Sequence, residues 1–195
     1  MLAEADERPV AVPDLRPRPA ILLAGGAVVA AVSFATLAWP AALAATALGL
    51  LMIAGAEVDA RTFLLPDTVT VGTLVSGILA AAALDPFAPA LSASEAAARA
   101  AGTAAALLLV RSLYARLRRR EGIGFGDVKL AAGIGAWLPL EAIPACFALA
   151  AGAGLTAVLL AHLRGARIEA ATRVPFGAFL CPALWLVFLA NQWGG

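Results

Sequence analysis

The sequence predicts an all-α bundle of about seven membrane-crossing helices, the fifth of them short, with a cytoplasmic N-terminus. Three observations predict it. Hydrophobic residues make up 62% of the 195 residues and charged residues 14%, whereas a soluble domain runs at roughly 45–50% apolar and about 25% charged. Mean hydropathy is +0.90. Charge-free runs recur at about the 20-residue length that crosses a bilayer, and arginine and lysine gather in alternate loops. This composition excludes a disordered chain, a nucleic-acid binder and an ordinary cytosolic globule. The formal net charge of +1 is silent about partners.

In chain order, residues 1–19 are polar and proline-rich, with Arg8, Arg16 and Arg18, and read as a short cytoplasmic tail rather than a signal peptide, whose apolar region would start earlier. Residues 20–193 form the membrane domain. Residues 19–56 carry no charge over 38 positions, enough for two passes with a turn at Trp39-Pro40. Residues 68–84 give a third pass. The fourth, near 95–114, holds Arg99 and Arg111 close to its ends, where long side chains reach the interface. The fifth has only the 11 uncharged residues 130–140, so it spans only if Val128 and Lys129 lie at one interface and Glu141 at the other. Residues 142–161 and 174–195 supply the last two passes.

Basic residues orient the bundle. Arg61 follows pass two; Arg116, Arg118, Arg119, Arg120 and Lys129 lie between passes four and five; Arg164, Arg167 and Arg173 lie between six and seven. The opposite loops hold none, with Arg99 the one exception near that side. The excess marks the cytoplasmic face. Arg116-Leu117-Arg118-Arg119-Arg120 reads as a topology anchor against anionic headgroups rather than a nucleic-acid patch. Cys146 and Cys181 read as buried apolar fillers, without a C-x-x-C pair. The lone His162 offers no metal site. The many Ala and Gly residues suit close helix packing but identify no activity.

Acidic residues at membrane depth are costly, so each is a functional candidate. Four sit near the cytoplasmic ends of passes: Glu57, Asp59, Asp67 and Asp127. Two carboxylates brought together do not both ionise readily, so one keeps a proton. One is then a base toward water and the other an acid toward a carbonyl oxygen, the chemistry of aspartyl proteolysis. Asp127 ends Gly122-Ile123-Gly124-Phe125-Gly126-Asp127, where glycines permit unusual dihedrals and close backbone approach. Asp67, in Pro66-Asp67-Thr68, reads as a cap of the third pass. Glu57, about 200° around a helix from Asp59, faces elsewhere and has at most a supporting role.

The segment Asp59…Leu65-Pro66-Asp67 resembles the first motif of type IV prepilin peptidases. Gly124-Phe125-Gly126-Asp127-Val128-Lys129-Leu130, continued by Ala131-Ala132-Gly133-Ile134-Gly135-Ala136-Trp137-Leu138, resembles their second. Val174-Pro175-Phe176-Gly177 resembles a Pro-Phe-Gly stretch near their C-terminus and reads as a structural helix start rather than a substrate contact. The likeness covers about residues 50–190. It implies a membrane aspartyl protease of the Gly-x-Gly-Asp type with Asp59 and Asp127 catalytic, Gly124 and Gly126 shaping the active loop, and no metal or cofactor. Lys129 matches the second motif and either supports Asp127, meets substrate or anchors the interface. The implied reaction is removal of the short basic leader of a prepilin or pseudopilin at the cytoplasmic face of the plasma membrane, in the service of type IV pili or protein secretion.

Larger members of that family add a four-cysteine cytoplasmic region and methylate the new N-terminus. Neither those cysteines nor a Gly-rich cofactor fingerprint occurs in these 195 residues, so the expectation is cleavage without methyl transfer. The expected partners are the substrate and the bilayer, with no nucleic acid. Two other readings stand beside this one. A presenilin or signal-peptide-peptidase type of intramembrane protease shares Gly-x-Gly-Asp, but its other aspartate follows a tyrosine, and Tyr114 has no Asp beside it. A small proton-coupled transporter would use Asp59 and Asp127 as a relay, but no internal repeat supports it.

Overall fold

The computed structural model describes residues 13–119, 122, 124–165 and 174–193, and every regular element among them is an α-helix. Seven helices follow in order: α1 (Pro19–Thr36), α2 (Trp39–Thr62), α3 (Asp67–Leu84), α4 (Pro89–Arg118), α5 (Phe125–Trp137), α6 (Ile143–Leu163) and α7 (Phe176–Trp193). All but α5 are long and apolar enough to cross a membrane. Arg8, Arg120, Arg167 and Arg173, used above for orientation, lie outside the described residues.

The helix starts follow from proline. α1, α2, α4 and α6 each carry a proline at their first or second position, where the missing N–H would have no partner and φ is already set. The turn expected at Trp39-Pro40 is therefore the start of α2. The fourth helix is longer than its apolar run predicts. It begins at Pro89 and continues through Arg116 and Arg118; at 30 residues it is about 45 Å long, more than a hydrocarbon layer of roughly 30 Å requires.

Helix surfaces are apolar outward. Leu23, Leu79, Leu109 and Leu155 are each more than 60% exposed, as lipid contact requires and water would penalise. Several hydroxyls inside the helices bond back to the preceding turn, Thr46 to Ala42 O, Thr73 to Val69 O and Thr103 to Arg99 O, which pairs those donors in an apolar setting.

α5 is the centre. Its 13 residues cover about 20 Å, less than the roughly 30 Å hydrocarbon layer. It packs against α3, α4 and α7, while α2 joins α1 to α7 and α6 backs α7. Nine of its residues are buried, from Asp127 to Trp137. Glycines allow that embrace. A Cβ on Gly133 would lie 2.6 Å from Thr73 Cγ2 of α3, and one on Gly135 would lie 2.5 Å from the Arg99 carbonyl oxygen of α4. Trp137 Nε1 donates to Thr73 O at 2.9 Å, and its ring meets Phe188 of α7 edge-on at 5.1 Å. Arg99 Nε donates to Leu138 O at 3.1 Å, so the one basic residue on the far side ties α4 to the end of α5. Between α3 and α4, hydrogen bonds from Ser92 and from the Ala88 and Phe87 amides hold the Asp85 carboxyl below the usual carboxylate range.

The chain alternates direction, so the end of α2 and the starts of α3, α5 and α7 fall at one end of the bundle. This packing yields a stability prediction. Gly135→Ala drives a methyl against backbone that cannot give way, and it should cost about 1–3 kcal/mol. Thermal unfolding in detergent should show the lower melting temperature. Gly102→Ala, whose methyl would meet nothing within 4 Å, should leave it unchanged.

Candidate active site

Asp59 lies in the last turn of α2 and is 5% exposed. Its Oδ2 accepts a hydrogen bond from the Ala178 amide at 2.8 Å. Ala178 is the third residue of α7, and N–H groups in the first turn of a helix have no partner within it. Asp59 therefore closes a gap in α7, and α7 holds the carboxylate in place. Its own carbonyl takes the amide of Phe63 at 2.8 Å, where Phe63 ends α2 in the left-handed region (φ 56°).

Asp127 lies in the first turn of α5 and is 9% exposed. Its carboxylate lies beside Gly124, and Asp59 lies within electrostatic reach of it. Two acids 68 positions apart in sequence thus lie at the same end of the bundle, both buried. Among the described residues no group of three His, Cys, Asp or Glu side chains is placed to hold a metal.

Of the two properties expected of these glycines, Gly124 does not use an unusual dihedral and Gly126 does allow a close approach. Gly124 has φ −66° and ψ 149°, extended backbone that any residue adopts, and the positive-φ glycine among the described residues is Gly165. What Gly126 supplies is room: a Cβ there would lie 3.1 Å from Leu65 Cβ.

The supporting acids and Lys129 point elsewhere. Lys129 Nζ pairs with Asp67 Oδ1 at 2.6 Å and sits 5.5 Å from the centre of the Phe125 ring. It ties α5 to α3 and does not reach back to Asp127, because side chains two apart on a helix face different ways. Asp67 is not the cap of α3. Pro66 occupies the cap position with no side-chain bond, and the Asp67 carboxylate is spent on Lys129. Glu57 faces away from Asp59, as the helical spacing requires, and pairs with Arg61 at 2.7 Å and Arg18 at 3.6 Å. His162 lies in the last turn of α6. Cys146 and Cys181 are buried free thiols.

Two contributors were missed from sequence: the first turn of α7 and Leu65. Val174-Pro175-Phe176-Gly177 is a helix start, and the residue that follows it, Ala178, supplies the amide that holds Asp59. The available signal was a helix start lacking Ser, Thr, Asp or Asn to cap it, which leaves its N–H groups seeking an acceptor from elsewhere.

Fold and site together define a polytopic helical membrane protein with two buried aspartates at one end of the bundle, within electrostatic reach of each other. The chain belongs to the type IV leader peptidase family, whose profile matches residues 46–160, a span holding both aspartates. It is 38% identical over 167 residues to a prepilin leader peptidase/N-methyltransferase of Burkholderia pseudomallei (strain 1026b), covering 83% of this chain and 51% of that one. Against proteins of the same name it is 36% identical to that of Dickeya chrysanthemi, over 74% of this chain and 50% of that one, and 33% identical to that of Pseudomonas aeruginosa, over 73% and 47%. The chain spans about half the length of these relatives. No solved structure matches it.

The exposed Lys129–Asp67 pair generates a prediction. Lys129→Met should change stability by less than about 1 kcal/mol and leave the Asp59–Ala178 bond intact, which thermal unfolding and the amide signal of Ala178 will check.

Proposed function

We propose that the chain is an aspartyl endopeptidase that removes the short leader of prepilins or pseudopilins at the cytoplasmic face of the plasma membrane. The observation that carries the reading is the convergence of Asp59 and Asp127, both buried, from distant segments onto one end of the bundle. Membership in the type IV leader peptidase family supports it, as do the names of its relatives as prepilin leader peptidases. The cytoplasmic side is supported by the basic residues at the aspartate end: Arg61, Arg116, Arg118, Arg119 and Lys129.

The substrate's apolar segment docks in the bilayer beside the bundle, with its leader in the cytoplasm. A water molecule lies between the two carboxyl groups, which share one proton. The ionised carboxylate takes a proton from this water as its oxygen bonds to the scissile carbonyl carbon. The protonated carboxyl gives its proton to the carbonyl oxygen. When the tetrahedral intermediate collapses, the C–N bond breaks and the proton held by the first carboxylate passes to the leaving amine. No metal takes part. We extend the proposal to a product whose new N-terminus stays unmethylated, since the carboxylate pair supplies hydrolysis alone.

The test is co-expression with a prepilin, with cleavage followed by gel mobility and the product by mass spectrometry. The wild type should cleave and leave a free amine. Asp59→Asn and Asp127→Asn should each lower cleavage by about 10³-fold or more while the protein still accumulates in the membrane. Full processing by either variant would falsify the assignment, and a methylated product would overturn its extension.

A further inference from the structure

We infer that Leu65 is a positioning residue that sets the spacing of the two aspartates, its side chain seated among three glycines drawn from the helices that reach them. The inference rests on the proposed peptidase reading. Leu65 lies in the loop joining α2 to α3. Its neighbours Phe63 and Leu64 are about half exposed, whereas Leu65 turns inward against the core. Pro66 behind it confines Leu65 to extended backbone, and Asp67 beyond is tied to Lys129 of α5.

Two of the glycines leave the space that Leu65 fills, and the third borders it. On α2, one turn before Asp59, a Cβ at Gly55 would lie 2.9 Å from both Cys181 Sγ and Val69 Cγ1, with Leu65 Cδ2 at 3.5 Å. On α5, next to Asp127, a Cβ at Gly126 would lie 3.1 Å from Leu65 Cβ and 3.6 Å from its Cδ1. On α7, next to Ala178, a Cβ at Gly177 would lie 2.8 Å from Leu65 Cδ1 and 2.9 Å from Asp59 Oδ2. Leu65 therefore touches the backbone on both sides of the site.

Asp59 hangs from the first turn of α7 through the Ala178 amide, and Asp127 hangs from the first turn of α5. With bare glycines facing inward, one leucine side chain lies against both of those turns. A shorter side chain lets the turns close or leaves a void; either changes the room for water between the carboxyl groups. Displacements of about 1 Å at a reacting centre cost on the order of 100-fold in rate. Leu65 acts through the helices and does not itself touch the reacting atoms, so the chemical step should suffer and substrate affinity should not.

The experiment measures kcat and KM for prepilin cleavage, with melting temperature, in detergent-solubilised wild type, Leu65→Ala, Leu65→Val and Leu65→Met. Leu65→Ala should lower kcat about 10- to 100-fold with KM within twofold, in protein that still melts cooperatively. Leu65→Met, which conserves volume, should stay within about threefold of wild type. If Leu65→Ala does not fold, Leu65→Val decides, with a smaller loss in kcat and an unchanged KM. A kcat within twofold of wild type in the folded shortened variant, or a loss carried by KM alone, overturns the inference. Failure of the peptidase reading is distinguishable, because the wild type itself would then not cleave.

Discussion

The bond between the Ala178 amide and Asp59 is the constraint on which the rest of this structure depends. A buried carboxylate without donors is expensive, and so is a helix start whose N–H groups find no acceptor in an apolar setting. Asp59 and α7 each supply what the other lacks, 119 residues apart. Because α2 and α7 also pack along their lengths, the bond locks the end of one helix to the beginning of another. The carboxylate is thereby held in one orientation, which a catalytic group needs and a solvated side chain at a helix end would not have.

The second acid is brought to the first by α5. This helix is too short to cross a bilayer alone and is surrounded by α3, α4 and α7. Its glycines let neighbouring backbones come close, so its N-terminal turn is fixed by packing rather than by a loop. Lys129 adds an exposed tie to Asp67 at 2.6 Å, and Phe125 lies under Lys129 and Arg111. The site thus rests on rigid elements, which is how reacting groups keep their geometry.

Much of this was legible in the sequence. Charge-free runs gave the number of helices, and alternation of direction put Asp59 and Asp127 at one end. The spacing of Glu57 from Asp59 correctly turned Glu57 away. What was not legible depends on contacts between distant segments. Asp67 looked like a cap because Pro-Asp-Thr often begins a helix, yet a lysine from α5 competes for its carboxylate. Lys129 looked close to Asp127 because it is two residues away, but a helix separates such neighbours. The glycines before Asp127 suggested unusual dihedrals or close approach without saying which; Gly124 is ordinary extended backbone and Gly126 makes room for Leu65. Nothing local in Val174-Pro175-Phe176-Gly177 says which acid its helix will receive.

The most direct measurement of the central claim is chemical cross-linking in native membranes. Cysteines would replace Asp59 and Asp127 in a chain whose Cys146 and Cys181 are changed to alanine, followed by treatment with a short bifunctional thiol reagent. If the two positions face each other, the reagent should join them within one chain and shift its mobility after a cut between them. Each cysteine reacting separately, with no link even for short spacers, would contradict the account.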